Sequence, residues 1–151
     1  MKCFNCGKPT FKNGQVQFTV TVAGIEFTTE LPGGQCGSCS GRTIHGDAAA
    51  RFELQVAAEL MTRGLRSGET FRFMRKALGM KAADLAQVMN VAAETLSRWE
   101  NDQREVDWPE FLLLGSLVDD KLAGRTTVLT RARALAEPRP ARYVHLRFLP
   151  P

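Results

Sequence analysis

The stretch "LGMKAADLAQVMNVAAETLSRWEND", Leu78 to Asp102, decides how this chain is read. It holds two short helical periods separated by "NV". At 100° per residue, Ala92, Leu96 and Trp99 of the second period fall on one side, while Glu94, Ser97, Arg98 and Asn101 fall on the opposite one. Ala86 is small where the two helices cross, Val91 plugs the turn, and Leu96 and Trp99 anchor the later helix, which is helix-turn-helix spacing. A polar face of this composition can be laid into the major groove of double-stranded DNA. There an arginine pairs with guanine O6 and N7, a serine hydroxyl bonds several bases and a glutamate accepts from cytosine N4. The bland alternative is a solvated face, because Glu94 and Arg98 form an i,i+4 pair worth about 0.2–0.5 kcal/mol on any exposed helix.

Outward from this stretch the helical pattern continues. "ETFRFMRKALG" puts Phe71, Met74 and Leu78 on one side and ends at Gly79, and Pro109, after Asp107 and Trp108, opens the helix "PEFLLLGSLVDD" at a position the first turn tolerates. Residues 68–122 therefore read as an all-α bundle. Upstream, "GDAAARFELQVAAELMTRG" offers Asp47 as an N-cap and a stripe of Phe52, Val56, Leu60 and Met61. "RGLRSGE" then breaks the pattern, so residues 46–67 read as a connecting helix and linker.

The N-terminal part, residues 1–45, has a different chemistry. Cys3 and Cys6 form one CxxC pair and Cys36 and Cys39 another, with glycines beside both. Four thiolates so spaced can converge on one tetrahedral ion, and zinc is the expected metal. Iron in a rubredoxin-like site, two unmetallated pairs, or a dithiol redox centre are the alternatives. Six residues past Cys39, His45 reads as a loop residue outside the site. Between the pairs, Val16, Phe18, Val20 and Val22, then Ile25, Phe27, Thr29 and Leu31, alternate with polar residues; this is a β-hairpin turning at "AG" and ended by "PGG". Fewer than about 40 residues rarely hold a core without a staple. The metal is thus expected to be structural, and a closed four-cysteine site leaves no open position for catalysis. A binding protein is expected, not an enzyme.

Composition sets the class. The chain has 151 residues, 44% hydrophobic and 24% charged, which suits one respectable core or two small ones. No apolar run is long enough to span a bilayer and no signal-peptide pattern follows Lys2, so no membrane partner and a cytoplasmic location are expected. The net charge of +4 is uneven: residues 1–120 hold 13 Lys/Arg against 15 Asp/Glu, and 121–151 hold 7 against 1. Within 68–120 the count is 6 against 10, the wrong sign for a phosphate-binding surface unless the bases are segregated. The basic extension, residues 123–151, reads as a helix capped by Thr126 or Thr127 and then an extended "PRPARYVHLRFLPP". Three uses fit it: completing the bundle before a flexible end, attracting phosphate through its arginines, or pairing as a strand with another chain.

The stretch Leu78–Asp102 also resembles the Cro/repressor (Xre-type) helix-turn-helix, whose pattern is a helix carrying "LA", a turn ending in Val and a recognition helix closing on "SRWEN". With a CxxC pair at the extreme N-terminus, a second some 30 residues later and a linking helix, residues 1–120 resemble the MqsA/YgiT-type antitoxins. The resemblance implies a zinc domain that neutralises a ribonuclease toxin and a helix-turn-helix domain that dimerises and binds a palindromic operator in its own promoter. It also implies structural zinc on Cys3, Cys6, Cys36 and Cys39, with base reading by Glu94 and Arg98.

This sequence departs from the pattern at four places. Glu94 stands where the family favours Asn, Ala82 replaces a common glutamine with Lys81 beside it as a phosphate partner, and Ala92 replaces a capping Ser or Thr. Asp102 occupies a turn position usually held by glycine. Lys81, Ala93, Glu94, Thr95, Ser97, Arg98 and Asn101 are the candidate DNA-binding residues. The expected fold is two-domain: a small zinc-stapled β-hairpin (α+β) domain followed by an all-α Xre-type helix-turn-helix bundle. The expected function is that of a homodimeric autorepressor and antitoxin of a toxin-antitoxin system. A free-standing Xre-type regulator with a structural or sensory zinc domain is the alternative.

Overall fold

A computed structural model describes residues 1–151. Along the chain run β1 (Phe11–Val22), β2 (Ile25–Cys36), β3 (Arg42–Ile44), α1 (Ala48–Thr62), α2 (Gly68–Ala77), α3 (Ala82–Met89), α4 (Ala93–Glu100), α5 (Trp108–Leu122) and α6 (Thr127–Ala136). A small antiparallel sheet carrying the cysteines is followed by an all-helical region.

The sheet order is β1-β2-β3. Val16 faces Leu31, Val20 faces Phe27 and Val22 faces Ile25, so the period-two residues share one face. Ala23 and Gly24 form the two-residue turn with φ of 52° and 74°, the left-handed geometry that matches strand twist. "PGG" does not end the hairpin. β2 runs through it to Cys36, and Gly33 and Gly34 pair with both β1 and β3. The reason is close approach: a Cβ on Gly33 would lie 2.2 Å from the Thr43 carbonyl oxygen, and one on Gly34 would lie 2.3 Å from the Phe11 ring. These glycines make room for a third strand that alternation alone does not announce.

α1 has two buried faces. Val56 and Leu60 pack with Val22 of the hairpin, and Phe18 meets Phe52 edge-on at 6.1 Å. Leu54 and Ala57, outside the expected stripe, join the core of the helical bundle. Met61 lies against Gly115 of α5, where a Cβ would come within 2.6 Å of its side chain. Asp47 does sit at the N-cap position, but its side chain makes no capping bond.

Sixteen buried residues form the bundle core, centred on Phe71 and Trp99, whose rings meet edge-on at 5.6 Å. Leu85, Ala86, Leu96, Phe111 and Leu114 are among the others. α3 ends at Asn90 (φ 53°), with the Val91 amide donating to the Ala86 carbonyl at 3.0 Å, a Schellman closure that sets the tight turn into α4. α4 ends the same way at Asp102 (φ 52°), so the aspartate takes the left-handed role expected of a glycine. Its carboxylate also accepts the Gly68 amide at 2.6 Å, tying the end of α4 to the start of α2. Gly68 is required there, since a Cβ would sit 2.4 Å from the Trp99 carbonyl oxygen.

Capping of α6 differs from expectation. Thr126 occupies the N-cap without a side-chain bond. Instead Asp120, reaching from α5, accepts the Val128 amide at 2.7 Å and the Arg125 Nε at 3.1 Å. The Val128 amide foremost, then Arg125, holds the Asp120 carboxyl below its ordinary value. Residues 138–151 form no regular element and are exposed, so "RYVHLRFL" pairs with no strand of this chain. No helix is long and apolar enough to cross a membrane.

Candidate metal centre and nucleic-acid interface

Two loops of the same design present the four cysteines. In the first, the Asn5 amide donates to Cys3 Sγ at 3.4 Å and the Gly7 amide to the Cys3 carbonyl at 2.8 Å. In the second, the Ser38 amide donates to Cys36 Sγ at 3.4 Å and the Ser40 amide to the Cys36 carbonyl at 3.1 Å. Gly7 and Ser40 hold equivalent left-handed positions, with φ of 71° and 56°. β1 and β2 bring the loops together, because Phe11 and Cys36 are paired at the open end of the hairpin.

The sulfurs of Cys3, Cys6, Cys36 and Cys39 all lie within 4.8 Å of one another. Cys3 and Cys39 are 3.6 Å apart, and Cys6 and Cys36 are 3.7 Å apart. A tetrahedral ion with metal–sulfur bonds of about 2.3 Å sets its sulfurs about 3.8 Å apart, so the donor set fits a four-thiolate metal centre. His45 is not among these donors.

Surrounding groups favour thiolate over thiol. The Thr10 hydroxyl, 3.2 Å from Cys36 Sγ, and the Ser38 amide lower the Cys36 thiol to about 6. Cys39 is lowered by the Gly41 amide and by the Asn5 side-chain amide at 3.6 Å. Cys6 goes the other way. The Lys8 amide lowers it, but desolvation and the other three sulfurs outweigh that and raise it to about 11. Four crowded sulfurs resist full ionisation until a cation neutralises them. Thr10 and Asn5 belong to the outer shell that orients the ligands, and the CxxC spacing alone does not point to them.

The second site is the outer face of α4. Leu96 and Trp99 are 1% exposed and fix the helix in the bundle. Ala93, Glu94, Ser97, Arg98 and Asn101 are exposed on the opposite side and Thr95 is half-buried. Ala92 is the N-cap and supplies no side-chain acceptor, so the first amides of α4 lack a cap. Glu94 and Arg98 do not form the i,i+4 ion pair that their spacing permits, leaving the Arg98 guanidinium without an acidic partner. Asn101 is already engaged: its Nδ2 donates to the Ser97 carbonyl at 2.8 Å, and its Oδ1 accepts from Arg72 at 2.9 Å. Lys81 is exposed at the N-cap of α3.

Glu100 also belongs to this interface's support, although the spacing of "SRWEND" does not reveal it. Arg75 donates to Glu100 from Nε at 2.5 Å and from Nη2 at 3.1 Å, with both side chains about nine-tenths buried. The same guanidinium reaches the Met80 carbonyl at 2.9 Å, so one arginine ties α2, the α2–α3 turn and α4. The signal in the sequence was an arginine pair at i,i+3 on α2, Arg72 and Arg75, facing an acid 25 residues later.

Residues 71–107, covering α2 from Phe71 onward and then α3, α4 and the turn after it, match the family model described as Helix-turn-helix. No curated protein matches the chain. The fold and the match agree on a helix-turn-helix in residues 71–107. In this chain it stands beside a β-hairpin whose four cysteines are positioned to hold a metal ion.

Proposed function

We propose that this protein is a sequence-specific repressor that binds as a homodimer to a palindromic operator in its own promoter. The observation that carries the reading is the exposed polar face of α4, presented by Leu96 and Trp99 from the second position of a helix-turn-helix. Two copies place recognition helices in half-sites about one turn of DNA apart. Arg98, free of Glu94, pairs with guanine, while Glu94 and Ser97 contact neighbouring base edges. Ala93 and Thr95 lie against thymine methyl groups, Lys81 holds a phosphate, and Asn101 joins after exchanging its partners Ser97 and Arg72.

Zinc is the metal assigned to the four cysteines, in a structural role, since a set of four protein sulfurs leaves no open coordination position. The order of parts, with a cysteine hairpin at 1–45, a connecting helix and linker at 46–67, the helix-turn-helix at 68–122 and a basic extension at 123–151, supports an antitoxin of the MqsA/YgiT kind. In that role the hairpin domain neutralises a ribonuclease toxin in the cytoplasm. A free-standing regulator shares every feature of the DNA-binding half. Footprinting on DNA upstream of its own gene tests the repressor: protection of a palindrome supports it and an even ladder opposes it. Co-purification separates the two readings. A small ribonuclease encoded beside this gene and held through residues 1–45 supports the antitoxin, and its absence supports the regulator.

A further inference from the structure

We propose that α6 and the segment after it form a second, sequence-independent DNA contact in which arginines hold the phosphate backbone beside the site read by α4. The inference rests on the DNA-binding reading above and deepens it. It begins with a shortage of positive charge. Residues 68–120 carry 6 Lys/Arg against 10 Asp/Glu. Three of those six cations are already spent inside the domain: Arg72 and Arg75 on Glu100, and Arg104 on Asp107. Lys76, Lys81 and Arg98 remain. With Arg98 given to a base, a homodimer brings only Lys76 and Lys81 of each copy, four cations, to the backbone, below the about 6–10 phosphates that a steeply salt-dependent protein neutralises.

The missing charge lies immediately downstream. After Arg125, which is committed to Asp120, the chain carries Arg131, Arg133, Arg139, Arg142 and Arg147 against the single acid Glu137. All five are exposed and none has an acidic partner. With Lys76 and Lys81 they make seven per copy, enough for a homodimer to fill the range of about 6–10.

Placement favours DNA over idle solvation. α6 is held against the helix-turn-helix: Asp120 caps it, and Val128, Arg131 and Leu135 line a groove with Val88 and Met89 of α3. Beyond α6, Pro138 and Pro140 lock φ and bar the residues before them, Glu137 and Arg139, from the α region. The chain therefore does not continue α6 as a helix past Glu137, and it bends once more at Arg142. Fully extended at about 3.1 Å per residue, residues 138–147 have a maximum reach of about 31 Å, close to one turn of DNA.

The test uses the full-length, metal-loaded protein and the variant Arg139→Gln/Arg142→Gln/Arg147→Gln. Affinity is measured by fluorescence anisotropy between about 50 and 200 mM KCl. One 30-base-pair probe is taken from upstream of the gene and the other is its scrambled counterpart. The slope of log affinity against log salt should become shallower by about 5 in the variant homodimer, near 0.9 for each of the six arginines removed. Affinity for both duplexes should fall by the same factor, leaving their ratio unchanged. An equal slope overturns the arm while leaving α4 as the reader. So does a loss that sedimentation traces to weaker self-association, the rival use for the exposed Val144, Leu146 and Phe148. If the unaltered protein binds neither duplex, the DNA-binding reading falls with it.

Discussion

The hairpin and the helical bundle are held together by different physics. In the bundle sixteen buried residues close around Phe71 and Trp99, enough apolar surface to order short helices. The cluster beneath the hairpin has three buried residues, Val22, Val56 and Leu60, and two of those belong to α1. At its far end the hairpin buries Cys3 and Cys36 instead of large apolar side chains. Where the core is thin, four cysteines positioned to hold a metal ion stand in its place, and the loops around the sulfurs carry the order that packing carries elsewhere.

Metal removal should split the two regions most sharply. Structural zinc of this kind contributes about 10–16 kcal/mol of apparent binding free energy, which is folding free energy for the part that it staples. Chelation, or Cys36→Ser, should abolish the hairpin's dispersed amide resonances and leave those of α2 to α5 in place. Complete loss of both sets would show one cooperative unit.

The reciprocal change is Trp99→Ala, expected to cost the bundle about 3–5 kcal/mol. Thermal denaturation should register it, while the metal-to-protein ratio stays the same. A smaller effect, about 1–3 kcal/mol, is expected for Gly33→Ala, which drives a methyl into the Thr43 carbonyl and displaces β3. An unchanged melting temperature would mean that β3 contributes nothing to the hairpin.

The mildest change is acidification. Asp120 has a folded-state value below its ordinary 3.8, so its contribution is full above that value and is lost as pH falls through the lower folded one. α6 should therefore loosen at acid pH before α2 to α5 do, seen as a fall in the protection of the Val128 amide relative to its intrinsic exchange rate at the same pH. Asp120→Asn should show the same loosening at neutral pH.

The helix-turn-helix was the most legible part of the chain because its information is local. Leu96 and Trp99 share a helical face, Val91 closes the turn and Asp102 tolerates a positive φ, all within one short window. The cysteine pairs were legible through spacing. What stayed hidden depends on distant partners or on missing side chains. β3 lies beside "PGG" because glycines admit it, and hydrophobic alternation cannot register an absent Cβ. Asp120 caps a helix eight residues away, and Arg75 meets Glu100 across 25 residues. α1 reads as one-sided because its second face is marked by a single large residue, Leu54, beside Ala57, which is fully buried but too small to mark a stripe. Asn101 looked free to read a base, but Arg72, 29 residues earlier, holds it.

The central claim is that the outer face of α4 reads DNA, and Arg98→Ala tests it most directly. Arg98 is exposed, unpaired and outside the core, so the variant should keep the wild-type melting temperature and metal content. Binding to the upstream duplex and to its scrambled counterpart is then compared at fixed salt. The account predicts that discrimination falls by about 1–3 kcal/mol per half-site, the worth of a bidentate arginine–guanine pair, while scrambled DNA is bound nearly as before. Undiminished discrimination in a folded variant would contradict it.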